Sequence, residues 1–149
     1  MQGKQKIILI SGLAGGISEI IWLFLWSLSS DLHLSKLAHQ VTMSVFPFIK
    51  DHSFSILLGL LIHLFLSLFI SFIFVNRFWN PYLSSRGKLL TFGSGGIALF
   101  LIWWMNYFIM VPVLNPHLLT LLPLYVTLIS KLLFGLSMSL ILSLDLKKN

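Results

Sequence analysis

The chain contains no cysteine. That excludes disulfides, iron–sulfur clusters, thiolate catalysis and a lipid anchor on cysteine, and it leaves the compartment open. Charge is nearly as scarce: 9% of the 149 residues are charged, against about 25% in an ordinary globular domain. The acids are Glu19, Asp31, Asp51 and Asp145 alone, which makes a hydrolytic carboxylate pair improbable. No GxSxG, HExxH or P-loop pattern occurs. Too few polar side chains remain to cover a water-facing surface, and no catalytic residue, metal or cofactor is called for.

What is present is hydrocarbon. Hydrophobic residues make up 57% of the chain and the mean hydropathy is +0.95. They fall in four blocks, 7–28, 53–75, 89–113 and 120–144, each near the roughly 20 residues that a helix needs to cross a bilayer. Strand-like alternation, which a barrel would require, is missing from all four. A spanning segment must satisfy its own backbone, so the blocks predict helices, and the fold class is an all-α four-helix transmembrane bundle in a single domain. The opening "MQGKQKIILISGLAGG" has the basic start and apolar run of a signal peptide, but the run continues through "IIWLFLW", longer than such a segment, and predicts a retained first helix.

Basic residues orient the bundle. Lys4, Lys6, Arg77, Arg86, Lys88, Lys147 and Lys148 fall on one side and only Lys36 and Lys50 on the other, which places both termini in the cytoplasm and the chain in an inner membrane. The net charge of +6 is mostly this bias, and nucleic-acid binding need not be invoked. Trp79 and Tyr82 beside Arg77 suit the headgroup layer.

The longest connection, "SSDLHLSKLAHQVTMSVFPFIKDH", repeats Leu34, Leu37, Ala38, Val41 and Val45 at helical spacing, with His33, Lys36 and Gln40 opposite. It predicts a short external helix over about 31–46, lying along the interface, capped by Ser30 or Asp31 and ended by Pro47. Such a helix is either a connector resting on lipid or a lid and docking surface. The third connection, "VPVLNPHLL", is tight and makes the last two spans antiparallel neighbours, with Pro123 near the outer end of the fourth.

A faint internal echo pairs "SGLAGG" with "FGSGG", and "LIHLFLSLF" with "ISKLLFGLS", setting His63 against Lys131 and suggesting two repeated helical hairpins. Gly12 with Gly16, and Gly93 with Gly96, offer surfaces for close helix packing within the bundle.

The polar groups at membrane depth need a different account. Glu19 of the first span, His63 of the second and Lys131 of the fourth fall within roughly 3 Å of one another in depth at 1.5 Å per residue, with Asn106 of the third nearer the outer face. A lone Glu or Lys at that depth costs about 2.5–3.5 kcal/mol. At an effective dielectric of about 20, opposite charges about 4 Å apart attract by about 4 kcal/mol, so pairing makes the arrangement tolerable. Three uses compete: a device that sets helix register, a proton or ion route, and a metal or haem site. The last is weakest, because His63 is the single interior histidine and Lys131 would repel a cation. His33, His39, His52 and His117 map to the external face as ordinary loop histidines.

The stretches "GLAGGIS", "LLIHLFLSLFI", "WWMNYFIMVPVLNPH" and "ISKLLFGLSMSLIL" followed by "DLKK" resemble the YagU-like family of small bacterial inner-membrane proteins. In that family histidines occupy the places of His63, Asn106 and Lys131; here only His63 is retained. The resemblance implies that these positions line one interior site in a multi-pass membrane protein linked to stress or proton handling. The leading expectation is a structural or accessory membrane component whose partners are the bilayer and other subunits. The alternative is a small proton- or ion-linked transporter using Glu19, His63 and Lys131.

Overall fold

A computed structural model describes residues 2–30, 32–49, 51–83 and 87–145. Of the residues named above, Asp31, Lys50, Arg86, Lys147 and Lys148, and the side chains of Tyr82, Lys88 and Asp145, lie outside the described part. The described chain is helical: α1 (Gln2–Leu28), α2 (Leu34–Val45), α3 (His52–Phe74), α4 (Lys88–Met105), α5 (Val111–Leu114), α6 (His117–Leu121) and α7 (Leu124–Asp145). Four stretches are long and apolar enough to cross a membrane, Gly3–Leu28, His52–Trp79, Leu89–Leu114 and Leu124–Leu144. The chain is an integral membrane protein built as an all-α bundle. Leu25, Phe65, Leu61, Leu101 and Ile97 are exposed on its outside, where hydrocarbon is the natural solvent.

Local chemistry sets the helix ends. Asp51 starts α3 by accepting the Phe54 amide at 2.8 Å. The α2 start differs from expectation: Ser30 turns back to the Ser27 carbonyl, and the N-cap is His33 with no side-chain bond. Two prolines shape the other half. Pro112 cannot donate a backbone hydrogen bond, and just before it the helix widens into a π turn, Asn106–Met110, with the Val111 amide reaching the Asn106 carbonyl. Pro123 divides the expected fourth span; Leu122 before it is extended, and α7 begins at Leu124.

The central pair is α1 and α7, with α3 packed on α1 and α4 packed on α7. Small residues bring the backbones together. Gly12 lies where a Cβ would stand 3.0 Å from the Leu68 Cα, and Gly16 fits against Ser67. Ser11 and Ser71 share a hydrogen bond of 2.8 Å, and Ser71 also donates to the Ile8 carbonyl at 2.9 Å, so α1 and α3 are joined by hydroxyls as well as contact. The close approach in α4 falls on Gly95 against Gly135, while a Cβ on Gly93 or Gly96 would meet no described atom within 4 Å. Among the described residues, no neighbouring helix receives that face of α4. α2 packs on α3: Leu37, Ala38 and Thr42 are buried, and the Ala38 carbonyl occupies the space of a Gly59 side chain.

An apolar core of Ile7, Phe74, Val75, Trp79, Leu99, Phe134, Met138 and Leu142 fills the bundle at the end away from α2. A Gly135→Ala substitution, whose Cβ would stand 2.8 Å from the Gly95 carbonyl oxygen, is expected to destabilise the bundle by about 1–3 kcal/mol. Gly96→Ala should stay within roughly 0.5 kcal/mol of the parent. Unfolding midpoints in detergent compare the two.

Candidate functional site

Glu19 stands on the central helix α1, and its neighbours arrive from both sides. From α7, the Lys131 ammonium donates to Oε1 at 2.5 Å and the Ser130 hydroxyl donates to the same oxygen at 2.6 Å. From α3, His63 brings Nε2 to 3.8 Å from Oε2. Nε2 is also 3.3 Å from the Gly16 carbonyl, which can only accept, so that nitrogen carries a hydrogen. The Glu19 side chain is 6% exposed, while the His63 and Lys131 side chains keep 19% and 18%. The three groups expected to share a depth therefore converge on one point.

Packing on either side of the cluster is unequal. Toward the α2 end lies a cavity of about 270 Å³, with Glu19, His63, Lys131 and Ser130 at its floor and Asn106 in its wall. Each long helix thus contributes the polar residue anticipated from sequence to one space. Leu37, Val41 and Val45 of α2 roof it, Leu118 and Leu122 line it from the α6 side, and Trp103 and Tyr107 form an aromatic wall. Further from α2, Ile7 of α1, Phe74 of α3, Leu99 of α4 and Phe134 of α7 belong to the packed core. The cluster divides a hollow half from a filled one.

Second contacts hold the floor in place. Trp22 Nε1 donates to the Val126 carbonyl at 3.0 Å, and Trp103 Nε1 donates to Thr127 Oγ1 at 3.0 Å, tying α1 and α4 to α7 one turn from the charged pair. The roof is fastened too. Thr42 Oγ1 donates to the Ser55 carbonyl at 2.5 Å, and the Asn115 amide reaches Gln40 Oε1 at 3.1 Å and Ser44 Oγ at 3.1 Å. Reading the sequence missed Ser130, whose one signal is its place beside Lys131 on a helix facing an acid.

The arrangement leaves specific valences open. Among the described residues, Glu19 Oε2 is buried without a hydrogen-bond partner, and Lys131 has Glu19 as the hydrogen-bond partner of its ammonium, which carries three hydrogens. Elsewhere, His39 and His52 bring their rings to 4.9 Å, and His39 Nδ1 lies 2.5 Å from Ser55 Oγ, while His117 pairs with Thr120. No group of three or more metal-ligating side chains occurs among the described residues.

Glu19→Gln removes the anion and strands the Lys131 ammonium, at an expected cost of about 3–5 kcal/mol. Glu19→Gln with Lys131→Met removes both charges together and should be more stable than Glu19→Gln alone, a reversal that detergent unfolding would detect. Comparison with protein-family models, with curated proteins and with solved structures finds no match, so the geometry of the site carries the functional reading.

Proposed function

We propose that the chain is a multi-pass inner-membrane protein with both termini cytoplasmic, and that it works as a small proton-linked carrier. A solute binds in the cavity above Glu19, His63 and Lys131, and these groups exchange a proton as it binds and leaves. The observation that carries this reading is the cavity beside the buried Glu19–Lys131 pair, to which each of the four spans contributes a polar residue, Glu19, His63, Asn106 and Lys131. A register device alone has no use for empty space beside it, since a cavity costs stability. Carboxylate, imidazole and amine within reach of one another supply the donors and acceptors that a proton relay needs. Space on one side of the cluster and packing on the other suit a state open toward a single face of the membrane.

Orientation rests on the distribution of charge. Lys4, Lys6 and Arg77 are exposed at the end opposite α2, and Lys36 is exposed on α2 itself, so the positive-inside rule sets the α2 roof outside.

A second reading, an accessory subunit of a larger complex, is favoured by α4. That helix packs on α7, and Ile97, Leu101 and Trp104 along its remaining sides, with Phe108 of the following π turn, are exposed, enough apolar surface for a partner as well as for lipid. Dye-loaded proteoliposomes carrying a pH gradient separate the two. Under the carrier reading, wild-type protein collapses the gradient faster than protein-free vesicles, and Glu19→Gln and Lys131→Met abolish the excess while Gly96→Ala keeps it. A wild-type rate equal to that of protein-free vesicles, together with one stoichiometric partner on extraction in mild detergent, would leave the subunit reading standing and remove the carrier.

A further inference from the structure

A ring of four spans has four seams, and three of them are tight. Gly12 and Gly16 close the seam between α1 and α3, Glu19 ties α1 to Ser130 and Lys131 of α7, and Gly95 against Gly135 closes the seam between α7 and α4. The fourth seam, between α4 and α3, is closed at one end. Where α3 runs on into a π turn, Val75–Leu83, that turn packs on α4, and Phe74 and Val75 share the core with Leu99. Among the described residues, α3 and α4 themselves form no packed seam comparable with the other three. Toward α2 they face each other across the cavity, α3 through His63 and Leu66, and α4 with its following π turn through Trp103 and Asn106.

Residues that line the cavity and are also exposed on the outside mark its mouth. They are Leu66 of α3, Asn106 of the π turn after α4, Leu114 of α5 and Val45 at the end of α2. No lining residue of α1 or α7 is exposed in this way. Leu66 falls at the middle of the span His52–Trp79, and Asn106 lies about 7 Å from the middle of Leu89–Leu114 on the α2 side, at 1.5 Å per residue. Both are inside the roughly 15 Å half-thickness of the hydrocarbon. The way past the roof is fastened instead, by Thr42 on the Ser55 carbonyl and by Asn115 on Gln40 and Ser44. We infer that the cavity opens sideways, between α3 and α4, into the leaflet on the α2 side, and that it takes an uncharged, apolar-bodied solute dissolved in the membrane. This inference rests on the reading that the cavity binds a solute.

The route and the walls select the same chemistry. An ion would have to shed its water among acyl chains before reaching the mouth. The floor offers it no net charge in return, because Glu19 and Lys131 neutralise each other. Leu23, Val41 and Leu119 present hydrocarbon, and Trp103 presents a ring whose Nε1 is already bonded to Thr127. The volume of about 270 Å³ exceeds the roughly 150 Å³ of an apolar cavity that accepts benzene. One ring with a short apolar substituent fits.

Because the chain has no cysteine, a thiol placed on the rim is the single one in the protein. Leu66→Cys and Asn106→Cys, each blocked with benzyl methanethiosulfonate in detergent before reconstitution, plug the mouth. Phe65→Cys carries the same group on a neighbouring exposed position that does not line the cavity. Full-length protein in lipid vesicles is irradiated with 3-phenyl-3-(trifluoromethyl)diazirine, an uncharged membrane-dissolved probe, and its adducts are mapped by mass spectrometry. Unplugged protein is expected to carry adducts on the cavity residues Leu23 and Leu119 as well as on lipid-facing Leu101. Either rim plug should abolish the cavity adducts and spare those on Leu101, and the Phe65 plug should spare both. Cavity adducts that survive both rim plugs, or that vanish equally with the Phe65 plug, overturn the lateral mouth while leaving solute binding intact. Unplugged protein labelled on Leu101 but never on Leu23 or Leu119 overturns both.

Discussion

A carboxylate in hydrocarbon must find a cation or give up its charge, and Glu19 finds one. The requirement places Lys131, and so α7, against α1, and it brings the Ser130 hydroxyl to the same oxygen. Coulomb attraction of about 4 kcal/mol at moderate dielectric is comparable to the insertion cost of one partner, so the pair holds the bundle in one register without stabilising it strongly. His63 completes the ring from α3, anchored by the Gly16 carbonyl. With α1 and α7 fixed as the central pair, α3 and α4 have one flank each to occupy.

Association of helices in lipid gains nothing from the hydrophobic effect, so it relies on close contact and on hydrogen bonds. The structure uses both near the charged pair. Gly12 and Gly16 let α3 approach α1, Gly95 and Gly135 let α4 approach α7, and the hydroxyls of Ser11 and Ser71 bridge the first of these contacts. Toward the far end, bulky side chains such as Phe134, Met138 and Trp79 fill the interior. On the α2 side the π turn before Pro112 and the break at Pro123 interrupt the helices, and Leu114, Leu118 and Leu122 line the cavity there beneath α2.

The four spans and the depth of Glu19, His63 and Lys131 were legible because both follow from translation along a helix: block length gives the span, and 1.5 Å per residue gives the height. Rotation about the helix axis is harder to read. Gly93 and Gly96 carried the small-residue signal in α4, yet Gly95 makes the contact, a difference of one residue that turns the packing face by roughly 100°. Gly12 and Gly16 escaped that ambiguity because, four residues apart, they share a face with Glu19. The external helix was legible as a helix from Leu34, Leu37, Ala38 and Val41, but its surroundings were not. Amphipathic spacing is the same whether the apolar side meets lipid or, as here, α3 and the cavity. Nothing in the sequence marks an empty volume.

The central claim, that the acid of the first span is bonded to the amine of the last, has a direct measurement. Glu19 is the sole glutamate in the chain, so a carboxyl carbon label on glutamate reports on one site. Solid-state magnetic resonance in lipid bilayers, with lysine ammonium nitrogens labelled as well, would read the dipolar coupling between the two. The structure, with Lys131 Nζ 2.5 Å from Glu19 Oε1, predicts strong dephasing of the glutamate carboxyl signal that disappears in Lys131→Met. A carboxyl signal with no coupling to any lysine nitrogen, in protein that is folded and inserted, would contradict it.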